Sequence, residues 1–385
     1  MVNYEYPPLG GGGGVINALL AEELAKRHEV TILTSNAPGL KSDEEDKGVR
    51  IKRVEVYFRS QRSVASFASM LAFIPSGIRE GRKLLTSSRY DVINTHFVLP
   101  TGPVGDSLSR YSGIPNILSL HGGDLYDPSK WTSPHRHALL RGWVRALLRR
   151  SHKVVGQSSN TIENMRRFYA PEVNAVRIPL AIKRPTFPVR PERQLYGLAE
   201  NEILLVTVGR LIGRKANNQL LLMMSELPEK NLRLLILGSG PEEGPLREEA
   251  EKRQLGKLVS FLGQVNESEK FAILSASDIY VSTSQHEGFG LVYLEAMASG
   301  LPIVCYNHGG QADFLKDDEN GYLVPLNDLK TFKQRCQLLI SSPDLRARLA
   351  SNNKRRVEEY YIEKCAANYE NVFNEVLARN CAAQQ

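Results

Sequence analysis

The chain has 385 residues, 42% of them hydrophobic and 24% charged, and a formal net charge of +7, enough for two ordinary domains with separate cores. No apolar run is long enough to span a bilayer, no signal-peptide pattern opens the chain, and no short-period repeat or low-complexity tract is present. The charge is uneven: residues 1–190 carry 27 Lys+Arg against 16 Asp+Glu, the remainder 22 against 26, so only the first half is expected to meet an anionic partner. No nucleic-acid motif and no aromatic-basic interleaving accompanies that charge, which argues against nucleic acid. Cys305, Cys336, Cys365 and Cys381 lack metal-ligand spacing and read as reduced thiols of a cytosolic protein.

Short apolar runs alternate with helical patterns. Residues 29–35, 91–96, 116–122 and 153–158 predict buried parallel strands in the first half; 203–209, 232–238, 259–263, 279–284 and 302–307 do so in the second. Strand, helix, strand is the pattern of doubly wound α/β sheets. The expected organisation is a first Rossmann-like domain over 1–182, a proline-rich linker over 183–201, a second such domain over 202–360, and a C-terminal helix over 361–385 crossing back to the first. Two such domains would leave a cleft between their carboxyl-edge loops. The opening is unusual, because only Val2 to Tyr4 precede the prolines where a first strand is expected; a truncated start would shorten a central strand.

Several motifs fall at predicted strand ends. Gly10 to Gly14, with Gly12 and Gly13 at its centre, precede a helix, where bare backbone approaches a ligand and helix N–H groups suit an anion. A nicotinamide site would need an acid closing the next strand; Thr34, Ser35 and Asn36 stand there instead. His96, His121, Asp124, Ser158 and Asn160 lie at strand ends of the first half; a helix cap is the competing reading of the last two. Along 138–150, Arg141, Arg145 and Arg149 recur on one helical face, either a solvated face or a contact with anionic lipid headgroups.

In the second half, Arg210 and Lys215 follow a strand and can converge on a diphosphate, the first as a fork and the second as a point charge. Gly238 with Gly240, and Leu262 with Val265, occupy loops that could line a nucleotide or be ordinary turns. The segment 282–304 sets Glu287 and Glu295 on either side of a turn of Gly288, Phe289 and Gly290, before a helix that opens at Leu291. The helix start seats an anion, and Glu295 can accept hydrogen bonds from a vicinal diol. Together these suit a nucleoside-diphosphate sugar.

Strand, Glu287-x7-Glu295 and a following strand resemble the signature of the retaining family-four glycosyltransferases, and the motifs arrive in family order along the whole chain. The resemblance implies the GT-B fold, an α/β architecture of two Rossmann-like doubly wound parallel-sheet domains facing a central cleft. It implies transfer of a sugar from a UDP- or GDP-sugar to a glycan or lipid-linked acceptor at a peripheral or cytoplasmic site. Catalysis would rest on His121 beside the reacting sugar, Arg210, Lys215 and Glu287. Gly12, Gly13, Gly238, Gly240, Leu262, Val265, Gly288, Phe289, Gly290, Leu291 and Glu295 would hold the donor. His96, Asp124, Ser158 and Asn160 would face the acceptor. No Asp-x-Asp triplet occurs, so neither cofactor nor metal is expected. Ala216 replaces a glycine common in relatives, residues 178–183 lack the usual hinge Asn and Gly, and Asp313 stands where glutamate is common. A nucleotide-sugar epimerase of related fold and a non-catalytic nucleotide-sugar-binding protein are the alternatives.

Overall fold

The computed structural model describes residues 1–57, 66–128, 130–186, 193, 199, 202–229 and 231–384. The linker expected at 183–201 falls largely outside the described residues. The chain divides into two compact units, Met1–Lys183 with Tyr361–Gln385, and Arg184–Tyr360.

In chain order the first unit contains α1 (Gly12–Ala25), β1 (Val30–Ser35), β2 (Asp43–Asp46), β3 (Val49–Val54), α2 (Phe67–Ser87), β4 (Ile93–His96), α3 (Gly102–Ser112), β5 (Asn116–Leu120), α4 (Ala138–Arg150), β6 (Lys153–Gly156), α5 (Ser159–Phe168) and β7 (Ala175–Arg177). The strands align as β2-β3-β1 and β4-β5-β6-β7. Val2 closes the space between the two sets, with parallel bridges to Leu33 of β1 and Thr95 of β4. Its N–H donates to Asn94 and its carbonyl accepts from His96. The short opening therefore does hold a central strand position. All five residues of β5 are buried, as expected of a strand covered on both faces.

The β2–β3 hairpin was not legible in the sequence. β2 reads Asp-Glu-Glu-Asp, a composition depleted in strands. It forms because β3 offers cations across the antiparallel register: Arg50 and Lys52 meet Asp43, and Arg53 meets Glu44 at 2.9 Å. A charged edge strand also resists pairing with other chains.

The second unit contains β8 (Ile203–Val208), α6 (Asn217–Glu226), β9 (Leu232–Leu237), α7 (Glu243–Lys252), β10 (Val259–Gly263), α8 (Glu267–Ala276), β11 (Ile279–Ser282), α9 (Leu291–Ala298), β12 (Ile303–Tyr306), β13 (Gly321–Val324), α10 (Leu329–Ser341) and α11 (Pro343–Arg356). Its sheet is parallel throughout, in the order β10-β9-β8-β11-β12-β13. Leu205, Leu234, Ile236, Val281 and Val304 from four strands share one buried cluster with Phe332 of α10, each such side chain contributing about 1.5–3 kcal/mol. β13 was also missed: it opens at Gly321, where a Cβ would lie 1.9 Å from the Ile303 carbonyl oxygen.

The chain closes with α12 (Ile362–Gln384), which belongs to the first unit. Ile362, Cys365, Ala366, Tyr369, Val372 and Val376 are buried at helical spacing. Glu370 pairs with Arg27 and His28, and Glu375 with Lys153. The nine strands expected from sequence are all present, trimmed by up to two residues at either end.

Candidate functional site

In the second unit the strand order reverses between β8 and β11. Open α/β sheets bind ligands at such a switch point, beyond the carboxyl ends of the strands. The turns following these two strands carry the motifs, and they are bonded to each other. Thr283 Oγ1 donates to the Ala216 carbonyl at 2.9 Å, Gln285 N–H to the Arg214 carbonyl at 2.8 Å, and Arg214 Nη1 to the His286 carbonyl at 2.6 Å. Lys215 forms an ion pair with Glu287. A further turn braces the assembly, the Gly310 N–H donating to the Glu287 carbonyl at 2.9 Å.

Arg210 is exposed, and its side chain has no hydrogen bond or ion pair among the described residues. Ala216 caps α6 at φ 48° and ψ 39°, the left-handed region that glycine adopts freely. It is the position at which the resemblance implied a glycine.

Gly290 caps α9 at φ 95°, and a Cβ there would lie 2.5 Å from the Tyr293 ring. Its conformation turns the chain from β11 into the helix, with the first helical N–H groups open as P-loop-like donors are. Gly288 and Leu291 flank it, both half-buried. Burial lifts the Glu287 carboxyl, but Lys215 and Arg214 outweigh that effect and hold it below its ordinary range. Glu295 lies in α9 with Oε1 on Lys270 Nζ of α8 at 2.7 Å; its Oε2 is buried without a partner. Here burial wins over Lys270, and the carboxyl is raised. Lys270 and Arg214 were not singled out in the sequence. Lys270 follows the Leu262–Val265 loop on the next helix, a placement that offered a signal.

Three donor-site expectations change. The Phe289 side chain is buried against Phe314, ring centroids 5.0 Å apart, which leaves only its backbone for any ligand contact. Cβ atoms at Gly238 and Gly240 would meet the carbonyls of Gly209 and Leu211 at 2.0 and 2.2 Å. Both glycines are therefore needed for close packing of the loop after β9 on the loop after β8. Leu262 is the half-buried penultimate residue of β10, and Val265 lies just before the N-cap of α8.

In the first unit, His96 and His121 end β4 and follow β5. His96 Nδ1 lies 3.0 Å from His121 Nε2. His96 is only 1% exposed, so the direct acceptor contact expected of it is replaced by contact with His121. Asp124 likewise serves as a staple: its two carboxylate oxygens accept from the backbone N–H groups of Val98 and His121, at 2.7 and 3.0 Å. Ser158 is the N-cap of α5, its hydroxyl accepting from Thr161 N–H, and is fully buried. Asn160 accepts from Asn164 one turn on. Gly13 packs beneath Phe97, where a Cβ would lie 2.5 Å from the ring. Gly12 opens α1 exposed, and the neighbouring Gly11 N–H is taken by Glu5 Oε2 at 3.2 Å. A carboxylate thus already stands at the glycine turn.

On α4, Arg145 donates to the Tyr169 carbonyl and Arg149 pairs with Glu172. The third arginine, Arg141, makes no side-chain hydrogen bond or ion pair among the described residues. Leu139 nearby is 90% exposed. A cavity of about 740 Å³ lies at the other end of the sheet, lined by Thr31, Asp91 and Asn94 among others; these residues lie at the amino ends of β1 and β4, away from both histidines. Among the described residues no group of three or more His, Cys, Asp or Glu could hold a metal ion, and no helix is long and apolar enough to cross a membrane.

Residues 11–181 match the family described as "Glycosyl transferase 4-like domain", and residues 189–356 the one described as "Glycosyl transferases group 1". The chain is 27% identical over 377 residues to a glycogen synthase of Mycobacterium tuberculosis, covering 93% of this chain and 89% of that one. Among solved structures, sucrose-phosphate synthase from Thermosynechococcus elongatus superposes with a TM-score of 0.85 at 23% identity, over 98% of both chains. The Anabaena protein HepE in complex with UDP does so with a TM-score of 0.78 at 18% identity, over 97% of this chain and 98% of that one.

Proposed function

Because this chain belongs to the glycosyltransferases of the GT-B, family-four type, we propose that it moves a sugar from a nucleoside-diphosphate sugar to a glycan or lipid-linked acceptor with retention of anomeric configuration. The carrying observation is Glu295: one carboxylate oxygen is held by Lys270 while the other is buried and unpartnered. A buried polar atom without a partner is costly, and a ribose hydroxyl supplies the missing donor. The diphosphate then lies at the start of α9, within the field of Arg210 and Lys215, and Glu287 takes hydroxyls of the donor sugar. Departure of the nucleoside diphosphate builds negative charge beside these cations and helix N–H groups, which would be the source of rate. The cations take the role a metal has elsewhere, so EDTA should leave turnover unchanged. HepE, crystallised with UDP, supports a uridine donor as the first to try.

A panel of UDP-, GDP- and ADP-sugars tests the reading by thermal shift, since a ligand stabilises by RT ln(1 + [L]/Kd). At least one should raise Tm in wild type and much less in Glu295→Gln. Proton NMR of the product then reads the anomer. No stabilisation by any nucleotide sugar, or an inverted product, overturns it. A membrane contact through α4 now rests on Arg141, since Arg145 and Arg149 have partners within the unit. Failure of the wild-type protein to float with anionic liposomes at low salt would leave a soluble glycan as the acceptor.

A further inference from the structure

The two histidines of the first unit form a closed pair. His96 Nδ1 and His121 Nε2 are 3.0 Å apart, a hydrogen bond that needs one proton between two nitrogens. Burial holds His96 well below the ordinary imidazole range and His121 down to about 3, so both rings are neutral near pH 7. Two arrangements remain. If His121 donates, His96 must carry its proton on Nε2, which is buried without a partner. If His96 donates, Nε2 holds only an unused lone pair. Orphaned buried N–H groups are rarer than under-used acceptors, and the second arrangement wins. It places the proton of His121 on Nδ1, an atom that is not buried and has no partner among the described residues.

The ring of His121 is fixed in other ways too. Phe97 stacks on it with centroids 4.1 Å apart at 22°. Phe97 adopts φ 70°, a strained conformation for a bulky residue, kept only where the surroundings impose it. Asp124 holds the His121 backbone N–H and Gln157 its carbonyl.

We propose that His96 is a positioning residue that sets the tautomer of His121, making its Nδ1–H a fixed hydrogen-bond donor toward a sugar hydroxyl. This rests on the glycosyltransferase reading above for the identity of what is met, but not for the tautomer. His121 then binds a sugar oxygen as a donor and does not serve as a base.

Long-range 1H–15N spectra of 15N-histidine-labelled protein read the tautomer without any substrate. His121 should appear protonated at Nδ1 in wild type and shift toward the other tautomer in His96→Phe. Protonation at Nε2 in wild type overturns the proposal. With the donor found above, His96→Phe should lower kcat by about 10–100-fold, within what loss of one preorganised donor costs, with little change in donor KM. His96→Asn places an amide N–H where Nδ1 was and should recover most of that loss. Should His96→Phe misfold, His96→Asn and the wild-type spectrum still decide. Equal kcat in Phe and wild type would overturn the positioning role while leaving the transferase intact. If wild type transfers no sugar at all, the functional reading fails and the spectrum alone judges the tautomer.

Discussion

The turn around Glu287 and the helix around Glu295 contain the same chemistry, a glutamate on a lysine, yet their carboxyls move in opposite directions. Burial does not separate them: the side chains of Glu287 and Lys215 are 10% and 14% exposed, those of Glu295 and Lys270 14% and 19%. The neighbours separate them. Glu287 has a second cation in Arg214, whereas Glu295 has Lys270 alone and the like charge of Glu267. One lysine does not offset the loss of water around a carboxylate, and two cations do. The first site therefore holds a firm negative charge. The second holds a carboxyl that still needs a donor.

Cutting the stronger pair should have the largest effect. Lys215→Ala is expected to lower turnover by about 10²–10³-fold and to destabilise the fold by up to ~3–5 kcal/mol, since it strands a buried carboxylate. The double variant Lys215→Met/Glu287→Gln should regain Tm but not turnover. Wild-type turnover in Lys215→Ala would sink the electrostatic account.

Next, the two glutamates should part kinetically. Glu295→Gln weakens binding in ground and transition states alike and should raise donor KM by about 10-fold or more. Glu287→Gln acts on the reacting sugar and should chiefly lower kcat. Steady-state kinetics on both variants checks this, and the reverse pattern would exchange their roles.

Their pH dependences should slope oppositely. Glu287 is depressed on folding, so its contribution is present above the ordinary carboxylate pKa of 4.5 and lost as pH falls through its lower folded value. Glu295 is raised, so its contribution is present below 4.5 and lost as pH rises through its higher folded value. Tm of Glu295→Gln relative to wild type should therefore climb with pH above about 4.5, while that of Glu287→Gln relative to wild type should fall as pH rises from strongly acid values toward it. Parallel slopes would show that the second cation does not govern the difference.

Ala216→Gly should have the smallest effect. Relief of the left-handed strain, about 1–2 kcal/mol, is offset by about 0.4–1 kcal/mol of added freedom in the unfolded chain. A gain of about 0–1.6 kcal/mol in urea unfolding is expected; a loss would mean that the alanine methyl packs.

Both glutamates and the strands that carry them were legible in the sequence because their signals are local: buried apolar runs, a glycine turn, a fixed spacing. The partners were not. Lys270 is 25 residues from Glu295 and on another helix, and no periodicity relates them. Asp43 to Asp46 form a strand only because Arg50, Lys52 and Arg53 face them. Gly238 and Gly240 looked like ligand contacts, since glycine permits close approach of any backbone; what approaches is the loop of Gly209 and Leu211. His96 and Asp124 were expected to face an acceptor; their burial and their bonds inward could not be read from a strand end.

The return of α12 to the first unit makes the second unit an insertion within the first, and this bears on the order of events during synthesis. Translation runs from the amino terminus, and domains ordinarily fold in that order. Here the segment 184–360 emerges whole while the earlier segment still lacks the stripe of Ile362, Cys365, Ala366, Tyr369, Val372 and Val376 that covers its core. The later-made unit can therefore reach its native state first. On the ribosome the unit begun first would wait, part of its apolar surface uncovered, for the stretch of message that encodes α12 to be read.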